Sequence, residues 1–214
     1  MDREDVWKAI DVQRRGLVDL LEDLSEAEWR RPSLCEGWTV RDVAAHVALQ
    51  NMSWSALPGA MLDAVRSGGM NAGIRAMACR HASRPTEQII AEIRGRIGVW
   101  RPLPSVTFRE TAIDYLVHAQ DIALPLDRRI DTPPVAALAA ADRLWSRDRM
   151  FHARRRLAGF RLVANDVRWS AGEGEEVTGP ISALLLLLTG RPAAMALLDG
   201  AGAAALRARL APLP

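Results

Sequence analysis

Apolar side chains recur every three or four residues through most of the first 150 positions of this 214-residue chain. This spacing is typical of amphipathic helices, which bury one apolar stripe each. We predict helices over residues 6–24, from 40 to beyond 54, and over 87–100, 107–123 and 134–148. Consecutive amphipathic helices joined by short turns bury their stripes against one another, so the pattern predicts an up-and-down four-helix bundle.

Capping signals place several of the helix starts. Ser25 with Glu28 forms a capping-box pattern for a short helical turn, and Thr39 with Asp42 forms another at the start of the second helix. Thr86 is the expected cap of the third helix. The segment 58–73 is rich in glycine, so we expect a looser path there with short helical pieces over 59–66 and 71–80.

The pattern changes after about residue 153. The stretches "GFRLVAND", "VRWSAG" and "EEVTG" are rich in strand-forming residues, and a helix follows from Pro180 to Gly190. A last helix is expected in "AGAAALRARLA". The fold class is therefore mainly α, with a helical bundle over residues 1–153 and a small C-terminal α/β domain over residues 154–214.

Composition excludes several classes of function. A net charge of +2 offers no general attraction to nucleic acid. The two cysteines, Cys35 and Cys79, form neither a disulfide framework nor a thiolate zinc motif. The start of the chain lacks an apolar signal core, and the aliphatic run at 183–190 is shorter than the roughly 20 residues of a membrane span. We expect a soluble, cytoplasmic protein with no membrane partner.

The stretch "TAIDYLVHAQDI", residues 111–122, carries Asp114, His118 and Asp121 on one helix face that would otherwise be apolar. A second inward histidine, His46, lies on the predicted second helix. A single histidine on such a face is most often a hydrogen-bonded core residue. Two on neighbouring helices, with a carboxylate one turn away, form the ligand pattern of bundle metal sites.

The spacing therefore predicts a metal site of His46, Asp114 and His118, suited to Zn²⁺ and less well to Fe²⁺, Ni²⁺ or Mn²⁺. Three protein ligands leave a position open for catalysis. Glu110, one turn before Asp114, is a fallback ligand. Asp121 either accepts the second N–H of His118 or instead caps a helix or pairs with an arginine.

Other polar or aromatic candidates are weaker. His81 and His152 lie in arginine-rich stretches and are expected at the surface. Trp38 and Trp54 flank the His46 helix and could wall a pocket. Cys35 is read as a small buried residue more readily than as a reactive thiol. The sequence has neither a G-x-S-x-G nucleophile motif nor a glycine-rich phosphate loop.

The segments "LCEGWTVRDVAAHV" and "DYLVHAQDIALPL", with the C-terminal stretch from "GFRLVAND" onward, resemble the mycothiol-dependent maleylpyruvate isomerase family of the DinB-like helical-bundle superfamily. The resemblance implies a divalent metal, usually zinc, at His46, Asp114 and His118. It implies mycothiol, a thiol of actinobacteria, as the cofactor. It also implies an active-site arginine from the C-terminal domain, for which Arg191 is the match.

Asp114 stands where the family carries a glutamate ligand. Aspartate is one methylene shorter, so it reaches the metal only if the helix lies closer; otherwise a water bridges the two or the metal binds weakly. Whether Asp114 ligates directly is thus left open by the sequence.

The leading hypothesis is an enzyme, a metal-dependent isomerase or S-transferase that uses mycothiol and a small electrophilic substrate. Asp121 would orient His118, and Arg191 would hold an anionic group. The alternative is a non-catalytic metal- or ligand-binding bundle. A zinc-dependent transcription regulator is disfavoured, because the chain has no cysteine-rich zinc motif and no basic reading helix. The chain is expected to be a monomer or a homodimer.

Overall fold

The computed structural model describes residues 2–51, 68–103, 106–147 and 151–210. Its helices and strands are, in chain order, α1 (Arg3–Glu22), α2 (Glu26–Trp29), α3 (Val40–Ala48), α4 (Met70–His81), α5 (Thr86–Arg94), α6 (Phe108–Ala123), α7 (Pro134–Ser146), α8 (Ala153–Arg156), β1 (Gly159–Ala164), β2 (Ser170–Gly172), β3 (Gly174–Gly179), α9 (Ile181–Leu188) and α10 (Ala203–Leu210). Short 3₁₀ turns occupy Leu49–Asn51, Leu124–Leu126 and Pro192–Leu197.

Helices α1, α3, α5 and α6 form the predicted four-helix bundle. Helix α6 packs against α1 and α3, and α5 packs against the same two helices from the other side. Helix α7 lies outside this ring, against α1 and α6. The apolar stripes meet in one continuous core that includes Trp7, Leu17, Val43, Ile89 and Leu116, all nearly inaccessible to solvent.

The predicted capping boxes are confirmed at two of the helix starts. Ser25 and Glu28 exchange hydrogen bonds at α2, and Thr39 and Asp42 do so at α3. The prediction for Thr86 is wrong, because Pro85 occupies the cap position and Thr86 is the first helical residue. Proline has a fixed φ that suits the entry into a helix without a side-chain cap.

Two helices end several residues before their predicted ends. Helix α5 ends at Arg94 instead of continuing to residue 100. Gly98 adopts a left-handed backbone with φ of 80°, and Arg14 draws the carbonyl oxygens of Arg96 and Val99 toward α1. Helix α3 ends at Ala48 and is followed by the 3₁₀ turn Leu49–Asn51. Its predicted extent beyond residue 51, which includes Trp54, lies outside the described residues, as does the separately predicted 59–66 piece.

The C-terminal part contains the predicted three strands in the order β2-β1-β3. Strand β1 runs antiparallel to β2 and parallel to β3, with Leu162 opposite Ala171 on one side and Val177 on the other. Helix α9 packs against α6 and α7. This contact carries Arg191, three residues beyond α9, to the face of α6 that holds the polar side chains.

Candidate metal centre

Helices α3 and α6 bring the three predicted ligands together. The Oδ1 atom of Asp114 lies 3.5 Å from Nε2 of His46 and 3.3 Å from Nε2 of His118. All three ligand atoms lie within 4.8 Å of one another. Ligand atoms about 2.0–2.1 Å from a tetrahedral zinc ion are separated by about 3.3 Å. The donor set and its spacing therefore fit a zinc-sized cation.

Gln50 fixes the orientation of the Asp114 carboxylate. Its Nε2 donates a close hydrogen bond to Oδ2 of Asp114, which leaves Oδ1 facing the two histidines. The sequence patterns did not identify Gln50 as a site residue. Its position four residues after His46 places it on the same face of the predicted helix, and this spacing could have identified it.

The second ring nitrogen of His118 faces Asp121. Its Nδ1 lies 2.9 Å from Oδ2 of Asp121, whose side chain is completely buried. When the ring is neutral, a hydrogen bond from Nδ1 places the lone pair on Nε2, the nitrogen that faces Asp114 and His46. Asp121 also pairs with an arginine, so both contacts that the sequence left as alternatives occur together.

Arg191 contacts Asp121 through two parallel hydrogen bonds. Its Nε donates to Oδ1 at 3.0 Å and its Nη2 donates to Oδ2 at 2.8 Å. Its Nη1 donates to the carbonyl oxygen of Thr189 at 3.0 Å. The segment after α9 thereby contributes a guanidinium to the bundle site, linked to His118 through Asp121.

Cys35 lies in the same network. Its Sγ donates to Oδ2 of Asp121 at 3.1 Å and lies 3.7 Å from Nη2 of Arg191. Its loop is held in place because the backbone N–H of Leu34 donates to the carbonyl oxygen of Asp121 at 3.1 Å. Cys35 packs against the hydrophobic core as a partly buried residue, and its thiol in addition has a polar partner.

Cys35, His118 and Asp121 form a second group with metal-ligand geometry. Both oxygens of Asp121 already accept hydrogen bonds from Arg191, and a cation there would displace or repel that guanidinium. The group of His46, Asp114 and His118 is the better cation site.

The electrostatics of the site keep its carboxylates ionised. Burial by itself raises the pKa of Asp114, but His46 and His118 outweigh this effect and hold the pKa well below its usual range. Burial likewise opposes the ionisation of Asp121, and hydrogen bonds from His118 and Arg191 lower its pKa to about 2. Burial lowers the pKa of His118, whereas Asp114 and Asp121 raise it well above its ordinary value.

Trp38 lies against one side of the candidate metal centre, as predicted. Its ring meets the ring of His46 edge-on, with 5.5 Å between ring centroids, and the rings of His46 and His118 are 4.9 Å apart. Trp54, the other predicted wall, lies outside the described residues.

Two predictions about polar side chains are corrected. Glu110 is not a fallback ligand, because it caps α6 through Thr107 and pairs with Arg143. His81 is not a surface residue; its side chain is 11% exposed and contacts Glu92. His152 is exposed, as expected.

The described residues form a helical-bundle protein with a small three-stranded sheet, in which two imidazoles and a carboxylate on facing helices make a candidate metal centre. The sequence profile of the mycothiol maleylpyruvate isomerase N-terminal domain matches residues 10–123, more than half of the chain. The chain belongs to this family.

Two solved structures have the same fold. The crystal structure of the mycothiol-dependent maleylpyruvate isomerase is 18% identical, with a TM-score of 0.60 over 89% of this chain and 90% of that one. A histidine-to-alanine mutant of the mycothiol-dependent maleylpyruvate isomerase is 15% identical, with a TM-score of 0.62 over 95% and 94%. No curated protein matches the sequence significantly. Among the described residues, the helices are all too short or too polar to cross a membrane.

Proposed function

We propose that this protein is a metal-dependent enzyme that uses mycothiol to isomerise a small electrophile or to attach a thiol to it. The observation that carries the proposal is the convergence of the two Nε2 atoms, of His46 and His118, on Oδ1 of Asp114. Membership of the family supports mycothiol as the thiol. The names of the two structurally similar proteins support isomerisation as the first reaction to test.

His46, Asp114 and His118 would hold the metal, with zinc the best match to two imidazoles and a carboxylate. When bound with an open position, zinc binds a thiol sulfur and lowers its pKa, so that a thiolate nucleophile is present at neutral pH. Direct ligation by Asp114 is part of this proposal, and the 3.3 Å and 3.5 Å separations support it.

The remaining residues position the site and receive the substrate. Asp121 acts through His118, whose Nδ1 it holds so that Nε2 stays available. Arg191 lies at the edge of the site, with its side chain 15% exposed, and would hold a carboxylate of the substrate. We place it in a separate C-terminal domain of residues 154–214, which lends this one cation to the bundle.

Metal analysis of the purified protein tests the ligand set. We expect about one equivalent of zinc in the natural chain and a loss of that zinc in His46→Ala and His118→Ala. His152→Ala is the matched control, because this histidine is exposed and belongs to neither candidate group. Absence of metal after reconstitution with zinc would contradict the proposal.

Turnover is tested with maleylpyruvate and with a generic thiol-reactive electrophile, each in the presence of mycothiol or of glutathione. We expect product only with mycothiol and only in the metal-loaded protein. Equal rates with both thiols, or equal rates after removal of zinc, would contradict the assigned cofactor or the metal dependence, respectively.

A second candidate function is non-catalytic binding of a metal or small ligand. The two-point contact of Arg191 with Asp121 favours it, because the arginine matched to the family's active-site residue already has a partner. Stoichiometric zinc without turnover of any electrophile would support this candidate over the enzyme.

A further inference from the structure

Arg14, on α1, is a completely buried arginine. Only Nη1 of its guanidinium donates hydrogen bonds. Its Nη1 lies 2.9 Å from Oδ1 of Asp11, 2.6 Å from the carbonyl oxygen of Arg96 and 3.3 Å from that of Val99. Its Nε and Nη2, which form the other edge of the guanidinium, are buried without a hydrogen-bond partner. Leaving such donors unpaired away from water is costly, about 1–3 kcal/mol or more each.

Further unpaired donors come from the residues around this guanidinium. The aromatic rings of Tyr115 and Trp7 lie 4.8 Å and 5.5 Å from Cζ of Arg14. The hydroxyl of Tyr115, Nε1 of Trp7 and Nε of Arg96 are also buried without a partner. The arginine and indole nitrogens among these groups can only donate. The missing partner is therefore an acceptor.

The charge count points the same way. Arg14 and Arg96 are close enough for their positive charges to repel, and the carboxylate that is hydrogen-bonded to Arg14 is that of Asp11. Both oxygens of Asp11 are already engaged: Oδ1 with Arg14, and Oδ2 with the backbone N–H of Gly98 at 3.0 Å and with Nε1 of Trp100 at 2.7 Å. Asp11 thus has no oxygen left to meet the open edge of Arg14.

We propose that the open edge of Arg14, together with Tyr115, binds a small monovalent anion inside the bundle. The Nε and Nη2 groups form the fork that matches a planar oxyanion, so a carboxylate of formate size is the best chemical fit. A single water molecule would offer two acceptor sites and no negative charge, which is fewer acceptors than the open donors require. This site shares no residue with the candidate metal centre, although Tyr115 directly follows Asp114 on α6, and its test needs neither a bound metal nor turnover.

Anion-dependent stability tests the site. The melting temperature is measured while formate, nitrate or chloride replaces a bulky sulfonate at constant ionic strength and pH. We expect a saturable rise, about 5 °C or more at 100 times the dissociation constant, with formate binding most tightly. Tyr115→Phe removes one donor and keeps the ring that packs in the core, so we expect it to fold and to bind formate about tenfold more weakly.

Arg14→Lys removes the fork and should abolish the saturable response. Arg15→Lys is the matched control, because Arg15 is the exposed neighbour on the same helix, and its response should equal that of the natural chain. If Arg14→Lys does not fold, Tyr115→Phe decides the question. The proposal would be overturned if Tyr115→Phe responded to the anions like the natural chain, or if none of the three anions gave a saturable response. Water molecules would then be the only partners of these donors.

Discussion

The guanidinium of Arg191, beyond α9, forms a two-point ion pair with the buried carboxylate of Asp121 on α6, at 3.0 Å and 2.8 Å. The same carboxylate accepts a hydrogen bond from His118, so Arg191 is connected to a candidate metal ligand through one side chain. This connection makes the ion pair of Arg191 with Asp121 and the geometry of the candidate metal centre interdependent.

Removal of the arginine tests this connection. We expect Arg191→Gln to lower the free energy of unfolding by about 3–5 kcal/mol, because Asp121 is left buried without its opposite charge. Urea denaturation measures the loss. The double variant Arg191→Gln with Asp121→Asn should recover much of it, since no uncompensated charge remains. A double variant as unstable as the sum of the two single variants would show that the residues do not interact.

Removal of Gln50 tests whether its hydrogen bond to Asp114 orients this candidate ligand. We expect Gln50→Ala to weaken zinc binding about 10- to 100-fold, because residues that orient a ligand typically contribute this much. Competition with a chromophoric chelator measures the affinity. Gln88→Ala, an exposed glutamine on α5, is the control and should bind zinc like the natural chain. Unchanged affinity in Gln50→Ala would contradict the orienting role.

Protonation of the Glu28 carboxylate should make the free energy of unfolding depend on pH. Its pKa is lowered from 4.5 to about 2 by the backbone and side-chain groups of Ser25 and by Arg128. A lowered pKa means that the stabilisation is complete above about pH 4.5 and is lost as the pH falls toward 2. The stability difference between the natural chain and Glu28→Gln should therefore shrink over this window in urea titrations. A stability difference that stays constant from pH 6 to pH 2.5 would contradict a stabilising role of the ionised Glu28 carboxylate.

Gly174, where β3 begins, should not tolerate a side chain. Its φ is 119°, and a Cβ atom would lie 2.0 Å from the carbonyl oxygen of Gly159 on β1. Gly98 has a similar left-handed backbone but no atom within 4 Å of the added Cβ. We expect Gly98→Ala to cost about 1 kcal/mol of unfolding free energy and Gly174→Ala clearly more, as measured by thermal denaturation. Equal costs would mean that the backbone conformation alone is limiting.

Local patterns in the sequence predicted most of the secondary structure. Apolar spacing located the bundle helices, and capping boxes placed the starts of α2 and α3, because these signals act within one or two helical turns. The same periodicity placed Asp114, His118 and Asp121 on one face of α6. The early end of α5 escaped prediction, since it depends on Arg14 of a different helix.

Tertiary structure alone decided which groups meet. The sequence could not establish that α3 faces α6 closely enough for His46 and His118 to share Asp114, or that Gln50 would reach the same carboxylate. It also left open whether Asp121 contacts a histidine or an arginine, and the structure contains both contacts. The physical reason is that spacing along a helix determines which side chains share a face, whereas the packing of whole helices determines what that face contacts.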